Sequence, residues 1–230
     1  MKMFPALIFD VNETLLDIEA LAPFFAAKFG SPLAMREWFA QTILYSQSLS
    51  LIDCYLPFGE LGVATLKMQA DIAEVSIADA DVRAFQSLMK TLPLHPDVSE
   101  ALARLQQQGF RLYTLTNNAS ATQTAQLQNA GIAHFFENAF SVDERAKIFK
   151  PALKTYRDVE AEIGGTTGRY CLIACHSWDI IGAKAAGWDA ALILRTHNAP
   201  LPVGPQPTFI GNDLAEVASQ LIAHYADSSV

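Results

Sequence analysis

Four short apolar runs, with helical patterns between and after them, constrain the fold more than any other feature of this sequence. The runs are typical of buried parallel strands, and they cover residues 6–9, 111–115, 170–174 and 190–194. The helical patterns cover residues 97–108, 120–130, 151–163, 178–186 and about 213–224. Because strands that alternate with helices form parallel pairs, the sequence predicts an α/β fold with a doubly wound parallel sheet.

The stretch from residue 17 to residue 92 interrupts this alternation. Its apolar spacing is helical throughout, over residues 19–29, 33–50, 60–75 and 80–90. Prolines and a glycine separate these segments. We therefore expect two structural units. Residues 1–16 and 93–230 form the core with the sheet, and residues 17–92 form a helical insert.

Composition limits the classes of function. Hydrophobic residues make up 51% of the chain, which is enough for a sizeable core, and the net charge of −8 argues against a nucleic-acid surface. The chain has no apolar run of the roughly 18 residues that a membrane span requires, and its first apolar stretch is too short for a signal peptide. Three cysteines without CxxC spacing suit a reducing compartment, and five histidines show no zinc spacing. The sequence predicts a cytoplasmic globular protein without nucleic-acid or membrane partners.

Polar and charged side chains stand where the predicted strands end. They are Asp10 after the first strand, Thr116 and Asn117 after the second, His176 and Asp179 after the third, and Lys150 just before a predicted helix. Ligands of open parallel sheets bind at the carboxyl ends of the strands, so we expect these side chains to converge. A carboxylate there can act as a nucleophile, and a nearby ammonium group keeps it ionised.

Each of these residues also has a purely structural interpretation. Asp10 alone is consistent with a carboxylate that caps the following turn, and Lys150 with a solvated lysine. Thr14 and Thr116 are either ordinary turn hydroxyls or hydrogen-bond donors to Asp10 or a substrate. We favour the chemical interpretation because a cation is poorly placed at a helix N-terminus unless an anion lies beside it.

Four motifs in order resemble those of the haloacid dehalogenase superfamily. FDVNETLLD resembles the first motif, with Asp10 as the nucleophile, and TLTNNAS resembles the second, with Thr116. Lys150 resembles the conserved lysine, and CHSWDIIGAKAAG resembles the fourth motif, with Asp179. The resemblance covers essentially the whole chain, and the helical insert resembles the α-helical cap of that superfamily. It implies a Rossmann-like core with an inserted α-helical cap domain.

Two positions separate the branches of the superfamily. Its phosphatases carry a second Asp two residues after the nucleophile, and an acid that binds Mg²⁺ four residues before the final Asp. This chain has Asn12 and Cys175 at these positions. An amide cannot shuttle a proton, and a thiol is a poor ligand for Mg²⁺. We therefore expect a site without metal or cofactor, as in the type II L-2-haloacid dehalogenase branch, and we place Asn12 among the substrate-binding residues.

The resemblance to that branch implies roles for further residues. In the branch, the aspartate displaces halide from the carbon next to a carboxylate, and water then hydrolyses the ester. Asn117 matches a halide-side asparagine of the branch, and Tyr156 in KPALKTY matches its carboxylate-binding tyrosine. Phe58 matches an aromatic residue on the cap side, and Trp178 matches the residue before the final Asp. The implied partners are a small 2-haloacid and halide, and the branch is often homodimeric.

The chain departs from the branch in the cap. The branch has a halide-binding arginine directly after a cap tryptophan, and here that position is Phe39. Arg36 lies about one helical turn earlier. The sequence leaves two interpretations open: either Arg36 reaches the site, or it forms a surface ion pair with Glu37 or another neighbour.

The fourth motif departs as well. The branch has Ser and Asn where this chain has Ala174 and His176. We predict that His176 is the general base for the hydrolytic water and that Asp179 orients it. The alternative is a plain hydrogen bond at the strand end.

The sequence thus predicts a metal-independent hydrolase that acts on carbon–halide bonds through an aspartyl ester. The predicted roles are Asp10 as nucleophile, Lys150 and Thr14 to orient it, Asn117 and Arg36 for the leaving anion, and Asp179 with His176 for the water. One rival is a Mg²⁺-dependent small-molecule phosphatase of the same superfamily. The other is a catalytically idle binding protein on this fold.

Overall fold

The computed structural model describes residues 4–164 and 169–227. In this part of the chain a six-stranded sheet has the order β3-β2-β1-β4-β5-β6, and each neighbouring pair is parallel. The strands are β1 (Ala6–Phe9), β2 (Arg111–Thr116), β3 (Asn138–Ser141), β4 (Tyr170–Ala174), β5 (Asp189–Ile193) and β6 (Phe209–Gly211). This order is that of a doubly wound, Rossmann-like sheet, so the predicted fold class is confirmed.

Helices cover the faces of the sheet and make up the segment between β1 and β2. They are α1 (Ala22–Phe29), α2 (Ala34–Leu51), α3 (Phe58–Ile72), α4 (Asp79–Lys90), α5 (Val98–Gln107), α6 (Ser120–Asn129), α7 (Leu153–Ile163), α8 (Ser177–Ala185) and α9 (Leu214–Asp227). Short 3₁₀ turns lie at Ile18–Leu21 and Ala133–Phe135. Across the described ranges, every helix is too short or too polar to cross a membrane.

The sequence patterns missed two of the strands, β3 and β6. Both lie at the edges of the sheet, where β3 begins with an exposed asparagine and β6 has only three residues. Such short segments take their conformation from the neighbouring strand more than from their own composition. The helix predicted from residue 151 begins later, at Leu153, because the backbone of Ala152, with φ −58° and ψ 132°, is not helical.

Strand β1 is central in the sheet, and its four residues are all buried. It pairs with β2 on one side and with β4 on the other. The backbone N–H of Asp10 continues the pairing by donating to the carbonyl of Ile173, at 3.0 Å. The strand order reverses between β1 and β4, and this is where ligands bind in sheets of this kind. Asp10 therefore lies at the crevice that the topology itself creates.

Helices α1–α4 are held together by an aromatic cluster around Trp38. Its ring centroid lies 5.5 Å from that of Phe25 and 5.0 Å from that of Phe85. Its indole N–H donates to the carbonyl of Gly62 at 2.8 Å, which joins α2 to α3. These helices follow the helical pattern of the insert, and the division into a cap of residues 17–92 and a core stays a prediction.

Candidate active site

The turn after β1 fixes the side chain of Asp10. The carbonyl of Val11 accepts from the N–H of Leu15 at 2.9 Å, and this single helical turn brings Thr14 back over Asp10. Thr14 Oγ1 donates to Asp10 Oδ2 at 2.7 Å and accepts from the backbone N–H of Cys175 at 3.1 Å. Thr14 thereby links Asp10 Oδ2, at the end of β1, to the backbone at the end of β4.

Lys150 holds the other oxygen of Asp10. Its side chain is fully buried, and its Nζ lies 2.9 Å from Asp10 Oδ1 and 2.6 Å from Asp179 Oδ2. The same Nζ donates to the carbonyl of Leu115 at 2.9 Å. An ammonium group has three N–H donors, so all of its donors are used. Lys150 is thus fixed as a bridge between two carboxylates.

This arrangement separates the proton affinities of the two acids. Burial alone would raise the pKa of Asp10, but Lys150 and His176 outweigh it and hold this pKa well below its usual range. The pKa of Asp179 is raised, because burial and the charge of Asp10 outweigh Lys150. The pKa of Lys150 is raised despite burial, because both carboxylates face it. Asp10 therefore has the lower pKa of the two acids.

Tyr156 lies behind this pair. It is completely buried, and its hydroxyl donates to Asp179 Oδ1 at 2.6 Å. The sequence predicted that Tyr156 binds the carboxylate of a substrate. This role does not fit the structure, because the hydroxyl already donates to Asp179 and the ring does not line the small cavity that lies over Asp10. In the structure Tyr156 holds Asp179, so that both oxygens of Asp179 have partners.

His176 contacts two carboxylates. Its Nδ1 lies 3.2 Å from Asp10 Oδ2, and its Nε2 lies 2.8 Å from Glu13 Oε2. Burial opposes a charged ring, but Cys175, Asp10 and Glu13 raise the pKa of His176 well above its ordinary value. The predicted orientation of His176 by Asp179 is wrong. Glu13 holds the ring instead, because Asp179 points to Lys150 and Tyr156.

A small cavity of about 20 Å³ lies over Asp10. Seven of the residues singled out from the sequence line it: Asp10, Asn12, Phe58, Thr116, Asn117, His176 and Trp178. Phe39 and Ile43 of α2 complete the wall, and they also line a larger cleft of about 530 Å³ that leads outward past His176. The cavity has room for about one water molecule.

The wall of the cavity carries an unused hydrogen-bond donor. Asn117 Oδ1 accepts from the backbone N–H of Lys150 at 3.0 Å, which fixes the orientation of the amide. Its Nδ2 is buried and has no hydrogen-bond partner among the described residues. A buried donor without a partner is unfavourable by about 1–3 kcal/mol. It is therefore suited to receive an anion that forms beside it.

Arg36 is directed away from the cavity. Its guanidinium forms ion pairs with Glu13 and Glu19 and donates to the carbonyl of Thr196 at 3.3 Å. This matches the ion-pair interpretation, with partners other than Glu37. Arg36 therefore does not take the place of the arginine that is missing at Phe39, whose ring occupies the cavity wall.

The potential metal-ligand atoms around Asp10 do not suit Mg²⁺. Asn12 Oδ1 already accepts from the side-chain amides of Asn118 and Gln126, at 3.2 and 3.0 Å. Asp10, Cys175 and His176 form the one cluster found among the described residues with potential ligand atoms within 4.8 Å of one another. This mixture of oxygen, sulfur and nitrogen differs from the octahedron of oxygens that Mg²⁺ requires.

Two residues at this site, Glu13 and Arg195, were not predicted from the sequence. Glu13 is a buried carboxylate with φ 65°, and its charge inside the first motif was the available signal. Arg195 donates from Nε and Nη2 to the carbonyl of Thr14, at 3.1 and 2.9 Å, and so fixes the turn that carries Glu13. It follows the fourth predicted strand directly, and polar or charged residues at the ends of the other three strands indicated the site.

Comparisons with known proteins agree with this geometry. A family model described as haloacid dehalogenase-like hydrolase matches residues 4–187. Because this match spans most of the chain, the protein belongs to the haloacid dehalogenase-like hydrolase family, and the predicted superfamily is confirmed.

Individual relatives are similar over nearly their whole length. Haloacetate dehalogenase H-2 of Moraxella sp. (strain B) is 26% identical over 212 residues, which cover 91% of this chain and 94% of that protein. (S)-2-haloacid dehalogenase 2 of Pseudomonas sp. (strain CBS-3) is 23% identical over 230 residues, with 99% and 100% covered. The solved L-2-haloacid dehalogenase from Xanthobacter autotrophicus with chloropropionic acid covalently bound has a TM-score of 0.85 and 22% identity, over 96% of this chain and 99% of that one. The similarity to L-2-haloacid dehalogenases agrees with the predicted branch.

Proposed function

We propose that this protein hydrolyses the carbon–halide bond of small 2-haloacids through an ester on Asp10, without a metal ion. One observation carries the proposal: Asp10 is an ionised carboxylate at a cavity wall, with Lys150 on one oxygen and Thr14 on the other. Such a carboxylate is oriented for attack on carbon. The relatives are named as dehalogenases of such acids, and one holds chloropropionic acid covalently.

In the first step an oxygen of Asp10 attacks the carbon that carries the halogen. A carbon–oxygen bond forms and the carbon–halogen bond breaks, so the halide leaves with the electron pair. The unpartnered Nδ2 of Asn117 is the donor at the cavity wall that receives it. Lys150 keeps Asp179 as its anionic partner after the charge on Asp10 has disappeared.

In the second step water attacks the carboxyl carbon of Asp10. The ester bond breaks, the 2-hydroxy acid leaves, and the carboxylate is restored. The net products are the hydroxy acid, halide and one proton. Halide is a good leaving group, so neither a proton donor at position 12 nor a metal at position 175 is needed, and the chain has Asn12 and Cys175 there.

The two rival functions lack comparable support. A Mg²⁺-dependent phosphatase needs an acid to protonate the leaving alkoxide, and the oxygen of Asn12 is engaged by Asn118 and Gln126. An idle binding protein does not explain why a carboxylate and an ammonium group are both buried at the switch point of the sheet.

We expect the purified protein to release chloride from 2-chloropropionate or chloroacetate, and to do so equally well in EDTA. Chloride is measured over time, and the matched reaction contains Mg²⁺ and a phosphate monoester. Chloride release that EDTA does not reduce supports the proposal. Phosphate release that needs Mg²⁺, without chloride release, supports the phosphatase. No turnover of either substrate supports the idle protein.

Changing Asn117 to Asp tests the anion site. The new side chain keeps an oxygen for the N–H of Lys150 but replaces the Nδ2 donor with a negatively charged oxygen. We expect kcat/KM to fall by about 10²–10³-fold, as for loss of one donor to a developing anion. Asn129→Asp, at an exposed position on α6, is the control and should react at the wild-type rate. Equal rates for all three proteins would rule out the anion role.

A cytoplasmic location and a homodimer stay predictions. All three cysteines, Cys54, Cys171 and Cys175, are free thiols, which supports the reducing compartment. The resemblance to a branch that is often dimeric supports the homodimer.

A further inference from the structure

The two steps above leave the buried carboxylate of Glu13 without a role. Its side chain is only 3% exposed. It contacts His176 Nε2 at 2.8 Å, accepts from Asn198 Nδ2 at 2.9 Å and pairs with Arg36. Its φ of 65° is a conformation that residues other than glycine rarely adopt. The structure thus keeps a carboxylate in a strained and desolvated position beside His176.

The ring of His176 is fixed on every side. Trp178 stacks on it with a centroid distance of 4.9 Å and an interplanar angle of 19°, and Phe39 packs at 5.6 Å. Its Nδ1 faces Asp10 at 3.2 Å while its Nε2 faces Glu13. One nitrogen is thus held by Glu13, and the other lies within hydrogen-bond reach of the nucleophile.

Asp179 is poorly placed to activate the hydrolytic water. Its side chain has no exposed surface and does not line the cavity. One of its oxygens accepts from Lys150 at 2.6 Å and the other from Tyr156 at 2.6 Å. His176, in contrast, lines the cavity itself. His176, and not Asp179, is therefore placed to act as the base in the second step.

We infer that Glu13 is a positioning residue that keeps a proton on Nε2 of His176, so that Nδ1 is the base which hydrolyses the Asp10 ester. This inference rests on the proposed function. A carboxylate, a histidine and the reacting group in line are the arrangement by which serine hydrolases orient their base. Here the group acted on is a water molecule instead of a side-chain hydroxyl.

The protons balance over the cycle. In the free site each ring nitrogen faces a carboxylate, so His176 carries two protons. When Asp10 becomes an ester its charge is lost, and Nδ1 releases its proton to solvent through the cleft. Nδ1 then takes a proton from water as the oxygen attacks the carboxyl carbon, and gives it to the departing hydroxyl oxygen of the product. The second proton of that water passes from the Asp10 carboxyl to Nδ1, which restores the starting state.

The test is to separate halide release from ester hydrolysis in Glu13→Gln. With 2-chloropropionate in excess, we expect one equivalent of chloride per active site in a rapid phase, followed by turnover about 10²–10⁴-fold slower than in the wild type, because a general base contributes about that much. The intact mass of the variant, quenched in acid during the slow phase, should show the esterified chain. Glu19→Gln is the matched control, since it removes the other partner of Arg36 without touching His176, and it should turn over as the wild type does.

Two outcomes would overturn the role of Glu13 alone. One is a Glu13→Gln variant that slows the chloride burst and the later turnover equally, and the other is a variant that turns over at the wild-type rate without accumulating ester. A wild type that releases no chloride would overturn the proposed function, and this inference with it. If Glu13→Gln unfolds at a lower temperature than the assay, Glu13→Asp, whose oxygens are withdrawn by one methylene, replaces it with the same expected and contrary outcomes.

Discussion

Asp10→Asn is expected to release no measurable halide, with a loss of at least about 10⁴-fold, because an amide cannot displace halide and form the ester. The change preserves the shape of the side chain, so Thr14 and Lys150 keep their neighbours. Chloride release and the intact mass of the protein after incubation with 2-chloropropionate are the two measurements. The variant should show neither chloride nor a mass increase.

The control for this change is Asp158→Asn. Asp158 is a partly exposed carboxylate on α7 that pairs with Lys154 at 2.6 Å. Asp158→Asn therefore makes the same change from carboxylate to amide at a position outside the candidate site. It should release chloride as the wild type does. Turnover by Asp10→Asn at a rate similar to this control would contradict the ester mechanism.

Lys150→Met is expected to impair both stability and activity. Removing the ammonium leaves Asp10 and Asp179 as two buried carboxylates without a cation between them. Breaking a buried pair in this way lowers the free energy of unfolding by about 3–5 kcal/mol. For a chain of this length that corresponds to a fall in Tm of about 6–20 °C. Thermal unfolding measures the first effect and chloride release the second.

Lys154→Met gives a matched comparison from the first turn of α7. Lys154 is exposed and pairs with Asp158 four residues later. Exposed pairs of this spacing contribute about 0.3–0.5 kcal/mol, so its Tm should change little. Similar Tm values for the two variants would show that the buried pair does not stabilise the fold as described.

Strands β1 and β4 show where sequence patterns suffice. Both are uninterrupted apolar runs buried on both faces, and their predicted bounds match the structure to the residue. Strand β6, of three residues, follows a proline-rich stretch and is set by its pairing with β5. Its conformation depends on a partner that is distant in sequence, so no local pattern indicates it.

The same distinction holds within the candidate site. The sequence predicted that Asp10, at the end of the first strand, and Lys150, just before a helix, would converge, and the structure brings them to 2.9 Å. The partners of Tyr156 and His176 were not predictable in this way. Which oxygen a side chain faces is decided by the packing of α7, α8 and the turn after β1, and these elements meet only in the folded chain.

The cavity over Asp10 has a consequence for the speed of the reaction. The cavity has room for about one water molecule, and rings from the insert, Phe39 and Phe58, form part of its wall. An acid larger than one water molecule either extends from Asp10 into the cleft past His176 or displaces these rings. Where displacement of these rings limits turnover, chloride and bromide substrates of the same acid should have the same kcat.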